Sequence, residues 1–317
     1  MIFNKLKRND IRIISSTVKS IERQLFYGNP YFLSNAEVAM LVSDWCRELA
    51  GENYDLILGI PRSGMMIASM ISLNLALPLS SCDNFPDKTW AGSQIIKRKI
   101  KKILVVDDTV GTGETIKNEV KKISGDYDID TAAMFVSDIG KNKVDKYYKV
   151  MPEPILGEWN FRHQKIGIVG VDMDGVLCED CPIGTADIKD KYMIFLKTAK
   201  RLYVPSYNID FIITSRLEKY RKETEEWLRN NNVKYDKLIM LDLPDWSYRY
   251  ANTSSQYKAD QVSKLGVDYF IESGDAEAKY IWDKSHVPVI CIETMKMYNE
   301  LYFNNRFLNI LLIRDYL

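Results

Sequence analysis

The sequence predicts an α/β protein made of two doubly wound parallel-sheet domains, and three observations carry that expectation. Short apolar runs rich in Ile and Val alternate with longer stretches of helical period. The runs are apolar throughout rather than at every second residue, as strands buried on both faces require. The 317 residues exceed the ~100–200 of one ordinary domain, so two cores are expected.

In chain order, YDLILGI (54–60), KKILVVDD (101–108) and TAAMFVS (131–137) supply strands of a first sheet. The stretch YYKVMPEPILGEWNFRHQ (147–164) then carries two prolines and loses its period. The boundary is placed at 163/164, giving domains 1–163 and 164–317. QKIGIVGVD (164–172), NIDFIITS (208–215), DKLIMLD (236–242), VDYFIES (267–273) and VPVICIE (287–293) supply a second sheet. One helix is expected around 187–204, another over ADQVSKLG (259–266), and FLNILLIRDYL (307–317) reads as a docking helix. Ligands of open parallel sheets bind beyond the carboxyl ends of the strands. VVDD, VGVDMD and FIES each place acids there.

Composition excludes several classes. With 46% hydrophobic and 27% charged residues the chain is not disordered, collagenous or a disulfide scaffold. Lys plus Arg number 43 and Asp plus Glu 43, so no global field grips nucleic acid, and no nucleic-acid partner is expected. No apolar run reaches the ~18 residues of a membrane span, so an integral membrane protein is not expected either. The start MIFNKLKRNDIRIIS meets charge before a signal-peptide core forms, and the five Cys read as reduced thiols. A cytoplasmic location follows as the expectation. Cys178 and Cys181 have CxxC spacing but no second pair, which argues against a zinc site.

Segment 103–115 combines a buried strand, the adjacent carboxylates Asp107 and Asp108, and the turn Thr109-Val110-Gly111-Thr112-Gly113-Glu114-Thr115, with a helix starting near Ile116. Successive backbone N–H groups of such a turn, with Thr hydroxyls, form a cradle for phosphate. The two carboxylates suit the vicinal hydroxyls of a sugar carrying that phosphate. The segment resembles the phosphoribosyl-pyrophosphate (PRPP) motif of type I phosphoribosyltransferases, and LILGIPRSG (56–64) resembles their pyrophosphate loop. The resemblance implies that Asp107 and Asp108 bind the ribose hydroxyls and the 109–115 loop holds the 5-phosphate. It implies that Arg62 and the amides near Ser63 and Gly64 face a pyrophosphate departing with Mg²⁺. It also implies a mobile basic loop, placed at 83–99 with Lys88 as its representative. Purine-salvage relatives commonly carry an Asp where this chain has Gly111, which argues against a purine acceptor.

Asp172-Met173-Asp174-Gly175-Val176-Leu177 closes another buried strand. Residues at i and i+2 leaving a strand can face one pocket, so Asp172 is placed to attack phosphorus and Asp174 to handle the leaving-group proton. This resembles the first motif of the haloacid dehalogenase (HAD) superfamily. The resemblance implies that Thr214 orients the phosphoryl group, that Lys258 supplies a cation before the helix ADQVSKLG, and that Asp172, Asp174 and Glu272 hold Mg²⁺ with Asp275 supporting or replacing Glu272. The short intervals between these motifs leave no room for a large cap domain. The aromatic loop 244–250 is a candidate contact for a bulky substrate.

Together the halves resemble the two-domain phosphoribosyltransferase and phosphatase proteins of bacterial polysaccharide assembly. That resemblance implies transfer of 5-phosphoribose from PRPP to a lipid-linked glycan, then removal of the 5-phosphate to leave β-ribofuranose. A homo-oligomer is compatible with this reading. The rival readings are a nucleobase phosphoribosyltransferase coupled to a nucleotide phosphatase, and a PRPP-sensing regulatory module.

Overall fold

The structure, a computed structural model, describes residues 31–92, 99–151, 155–182, 184–185, 188–244 and 253–299. It divides into two compact units. Leu33–Ile155 form the first, and Tyr31, Phe32 and the described residues from Leu156 onward belong to the second. The division falls a few residues before the 163/164 position read from sequence. Its cause is burial: Leu156 and Phe161 lie in the second unit's core, where Phe32 packs edge-on against Phe161 at 5.8 Å between ring centroids. Strands β1 (Tyr31–Leu33) and β7 (Ile155–Gly157) pair where the chain passes from one unit to the other.

The first unit opens with α1 (Asn35–Leu49), fixed by a capping box: Ser34 Oγ accepts from Glu37 N, and Glu37 Oε2 accepts from Ser34 N. Val38, Val42, Trp45, Cys46 and Leu49 form its buried stripe, the spacing of one helix face. The sheet runs β3 (Leu79–Ser81), β2 (Leu56–Gly59), β4 (Lys102–Val110), β5 (Asp128–Val136), β6 (Lys146–Val150), all parallel. From β2 the chain winds outward one way to β3, and from β4 the other way to β5 and β6. The crevice between the ends of β2 and β4 is therefore the topological switch point, where doubly wound sheets bind ligands. Helix α2 (Gly64–Leu75) starts there, and α3 (Glu114–Val120) follows β4, two residues earlier than the start near Ile116 expected from sequence.

Gly64 shows how tightly α2 sits against β4. A Cβ at this position would lie 2.7 Å from the Val106 carbonyl oxygen and 3.0 Å from Asp107 Cα, backbone atoms that cannot swing aside. Gly64→Ala is expected to destabilise the first unit by about 1–3 kcal/mol, the cost of overpacking. Urea unfolding checks this, and an unchanged midpoint would contradict the packing.

The second unit is built on a six-stranded sheet in the order β10 (Tyr235–Leu241), β9 (Ile209–Leu217), β8 (Val169–Val171), β11 (Tyr269–Glu272), β12 (Val289–Cys291), β13 (Lys296–Tyr298). All neighbours are parallel except β12 and β13. Its described helices are α4 (Lys189–Thr198), inside the expected 187–204 stretch, α5 (Arg221–Asn230), α6 (Thr253–Leu265) and α7 (Asp275–Ser285). The switch point lies between β8 and β11, so Asp172, just past β8, and Glu272, at the end of β11, emerge side by side. Among the described residues no helix is long and apolar enough to cross a membrane. The docking helix expected over 307–317 and most of the 244–250 loop lie outside the described residues.

Candidate functional sites

In the first unit the switch point brings Ser63, Asp107 and Asp108 together. Ser63 Oγ donates to Asp108 Oδ1 at 2.8 Å, tying the turn after β2 to the end of β4. Asp108 N donates to Asp107 Oδ1 at 2.9 Å, and both side chains are buried. Burial first, and the neighbouring Asp108 second, hold the Asp107 carboxyl well above its ordinary range. A ligand bringing hydroxyl donors or a cation would relieve that tension. Arg62, which precedes Ser63, is exposed, Thr109 and Gly111 are half-buried, and Thr112 and Thr115 are exposed. Val110 is buried at the end of β4, and Gly113 caps α3.

The turn after β5 was not singled out in the sequence, although its polar SDIGKN follows a predicted strand. Ser137 N donates to Val110 O at 3.2 Å and Ser137 Oγ to Gly111 O at 3.3 Å, so this turn braces the 109–115 loop. Gly140 permits the contact, since a Cβ there would sit 2.0 Å from Val110 O. Lys88 lies exposed on the turn after β3, where its N–H donates to Asn84 O at 2.9 Å and its carbonyl accepts from Ser80 Oγ. Among the described residues no hydrogen bond or ion pair joins it to Asp107 or Asp108. Residues 93–98 of the same expected loop lie outside the described residues.

In the second unit the centre is Lys258. Its Nζ donates to Asp172 Oδ2 at 2.8 Å, Glu272 Oε2 at 2.8 Å and Glu277 Oε2 at 3.0 Å. Lys258 sits within α6 rather than before the helix, as the sequence reading had it. Lys258, Asp172 and Glu272 are all buried. Burial works against the Lys258 charge, but Asp172, Glu272 and Glu277 outweigh it, and the ammonium is held well above its ordinary pKa. Burial, then repulsion from Glu272, pushes Asp172 upward while Lys258 pulls it down. Glu272 Oε1 accepts from Ser273 N at 2.8 Å and Ser273 Oγ at 3.1 Å, which fixes its plane.

Asp174 is held differently. Arg216 Nε donates to its Oδ2 at 3.0 Å and Nη2 to its Oδ1 at 2.6 Å. Thr214, buried one residue pair back on β9, accepts from Arg216 N at 3.2 Å through Oγ1. Asp275 does not join this group through any described contact. Its Oδ1 accepts from Tyr298 OH at 2.6 Å and Thr294 Oγ1 at 3.1 Å. Glu277, one step further along α7, reaches Lys258 instead. Sequence reasoning missed Glu277 and Arg216, although Arg216 directly follows the run NIDFIITS (208–215) and Glu277 stands two residues beyond Asp275.

Both sites offer carboxylate oxygens, the hard donors that Mg²⁺ prefers. Among the described residues no three His, Cys, Asp or Glu side chains form a ready-made metal cage. In the second unit the ammonium of Lys258 already bridges Asp172 and Glu272, so a metal there would share those carboxylates with it.

Residues 33–169, which span the first unit, match the family model described as the phosphoribosyl transferase domain. Similar solved structures include a purine phosphoribosyltransferase from Pyrococcus horikoshii Ot3, with 21% identity over 41% of this chain and 93% of that one, at a TM-score of 0.33. A xanthine-guanine-hypoxanthine phosphoribosyltransferase from Helicobacter pylori matches with 21% identity over 41% and 92%, also at 0.33. An orotate phosphoribosyltransferase from Aeropyrum pernix matches with 18% identity over 36% and 69%, at 0.28. No curated protein matches the chain.

Proposed function

We propose that the chain is a bifunctional enzyme: its first unit transfers 5-phosphoribose from PRPP to a glycan acceptor with release of pyrophosphate, and its second unit, of HAD type, removes the 5-phosphate. The observation that supports this most is the pair of switch points in one chain. One presents a paired-acid phosphate loop, the other a buried Asp172–Lys258–Glu272 cluster with Asp174 beside it.

In the first reaction the 109–115 loop holds the 5-phosphate, Asp107 and Asp108 accept from the ribose hydroxyls, and Arg62 with the amides near Ser63 and Gly64 stabilises the departing pyrophosphate. The acceptor hydroxyl oxygen attacks the opposite face of the anomeric carbon as its bond to the pyrophosphate oxygen breaks, the hydroxyl proton passes to the released pyrophosphate, and the product is β. In the second reaction an Asp172 oxygen attacks phosphorus and the bond from phosphorus to the ribose oxygen breaks. Asp174 gives that oxygen its proton, and then takes a proton from the water that cleaves the aspartyl phosphate to inorganic phosphate. Thr214 orients the phosphoryl group, and Lys258 balances the charge between Asp172 and Glu272. Mg²⁺ would be held by Asp107 and Asp108 in the first unit and by Asp172 and Glu272 in the second, and when bound supplies positive charge to the phosphate oxygens.

A phosphatase following the transfer makes a free ribofuranosyl group and renders the transfer irreversible. Nucleotide salvage has no use for that step, which favours a glycan over a nucleobase. Gly111, lacking a side chain to meet a base, favours it too. The test is mass spectrometry of lipid-linked and synthetic glycans beside nucleobases, incubated with PRPP and Mg²⁺. A glycan that gains ribose without phosphate is the expected product. Gain by nucleobases alone would overturn the acceptor, and a product that keeps its phosphate would overturn the phosphatase.

A further inference from the structure

Among the described residues of the second unit, Arg216 and Lys258 are the buried cationic side chains, and the chemistry proposed above gives Arg216 no part. It is 1% exposed, while the Asp174 side chain it grips is 26% exposed. The guanidinium therefore lies behind the carboxylate, and the open side of Asp174 faces outward. Its planar fork takes both oxygens, with Nε also 3.2 Å from Oδ1. Cys178, fully buried, completes the hold: its thiol donates to Asp174 Oδ1 at 3.4 Å and its sulfur accepts from Arg216 Nη2 at 3.2 Å. The Phe195 ring closes the other side, 5.5 Å from the guanidinium carbon.

Stability alone does not account for this arrangement. A buried ion pair contributes little compared with an apolar pair of the same volume, and here Arg216 Nη1 is buried with no hydrogen-bond partner among the described residues, a further cost. What the fork does provide is a single orientation for a carboxylate on a sharp turn after β8.

We propose that Arg216 is the positioning residue of the second site, holding Asp174 so that its outward edge meets the leaving ribose oxygen and then the attacking water in one orientation. The inference rests on the phosphatase reading of this site. Misplacement of a catalytic group by an ångström costs on the order of 10²-fold in rate, so Arg216→Met is expected to lower kcat by about that factor with KM changed less than about threefold. Arg216→Lys, a point charge without the fork, is expected to recover only part of the loss.

The experiment is steady-state hydrolysis of ribose 5-phosphate by the full chain carrying Arg216→Met, Arg216→Lys, Asp174→Asn, or both Arg216→Met and Asp174→Asn, with circular dichroism as the folding control. If Arg216 acts through Asp174, the double variant is no slower than Asp174→Asn alone. It also removes both charges of the pair, so it serves as the folded comparison if Arg216→Met alone does not fold. Losses that multiply in the double variant, or an Arg216→Met chain as active as wild type, would overturn the inference while leaving the phosphatase intact. A wild-type chain that hydrolyses neither ribose 5-phosphate nor p-nitrophenyl phosphate would instead remove the phosphatase reading, and the inference with it.

Discussion

An Asp172→Asn chain is expected to consume PRPP and acceptor at the wild-type rate while releasing no inorganic phosphate, so that its product keeps the 5-phosphate. The carboxylate at 172 is the nucleophile of the proposed second reaction, and an amide does not replace it. Removal of a nucleophile costs on the order of 10⁴–10⁶-fold in kcat. The substitution changes little else. Asn is isosteric, its Oδ1 still accepts from Lys258 Nζ, and the Asp172 N–H that donates to Ile271 O at 2.9 Å is backbone. Mass spectrometry of the product together with a pyrophosphate assay reads both reactions in one incubation. Phosphate release at the wild-type rate would mean that another group attacks phosphorus. Loss of transfer as well would mean that the first unit does not act without the second.

The central strands of both sheets are legible in the sequence because they are buried on both faces. LILG at 56–59 and YFIE at 269–272 are buried at every residue, and each falls within a run read as a strand. The edge strands of the first sheet escape the same reading. The segment KYYKV of β6 alternates half-buried and exposed residues, and β3 is only Leu79-Ser80-Ser81. Their pairing partners, not their own composition, make them strands. At the sites, the acids that end strands are legible because parallel sheets put chemistry there. Side chains that arrive from elsewhere are not: Glu277 comes from α7 and meets the cluster through Lys258. Arg216 lies on a strand whose charge, read along the chain, says nothing of a carboxylate 42 positions earlier. Asp275, one residue of the same acidic run, faces Tyr298 and Thr294 because the first turn of α7 there meets the β12–β13 hairpin.

Lys258→Met is expected to unfold the second unit at markedly lower denaturant while leaving the first unit's transition in place. The wild-type ammonium serves Asp172 and Glu272, whose side chains are 4% and 0% exposed, and the more open Glu277. Methionine fills similar volume but leaves two carboxylates in the interior with no cation between them. Breaking a buried ion pair by removing one partner costs about 3–5 kcal/mol, and here one removal strands two acids. The cost comes from the charges left behind rather than from lost packing, and that distinction can be measured. Adding Glu272→Gln removes one uncompensated charge while keeping the shape and an acceptor for Ser273 N–H, so the double variant is expected to regain part of the lost stability. A steric defect at 258 would not be relieved by a change at 272. Denaturant unfolding of the single and double variants, followed by tryptophan fluorescence, separates the two, and a double variant less stable than Lys258→Met would show that the cluster is held by packing and not by charge.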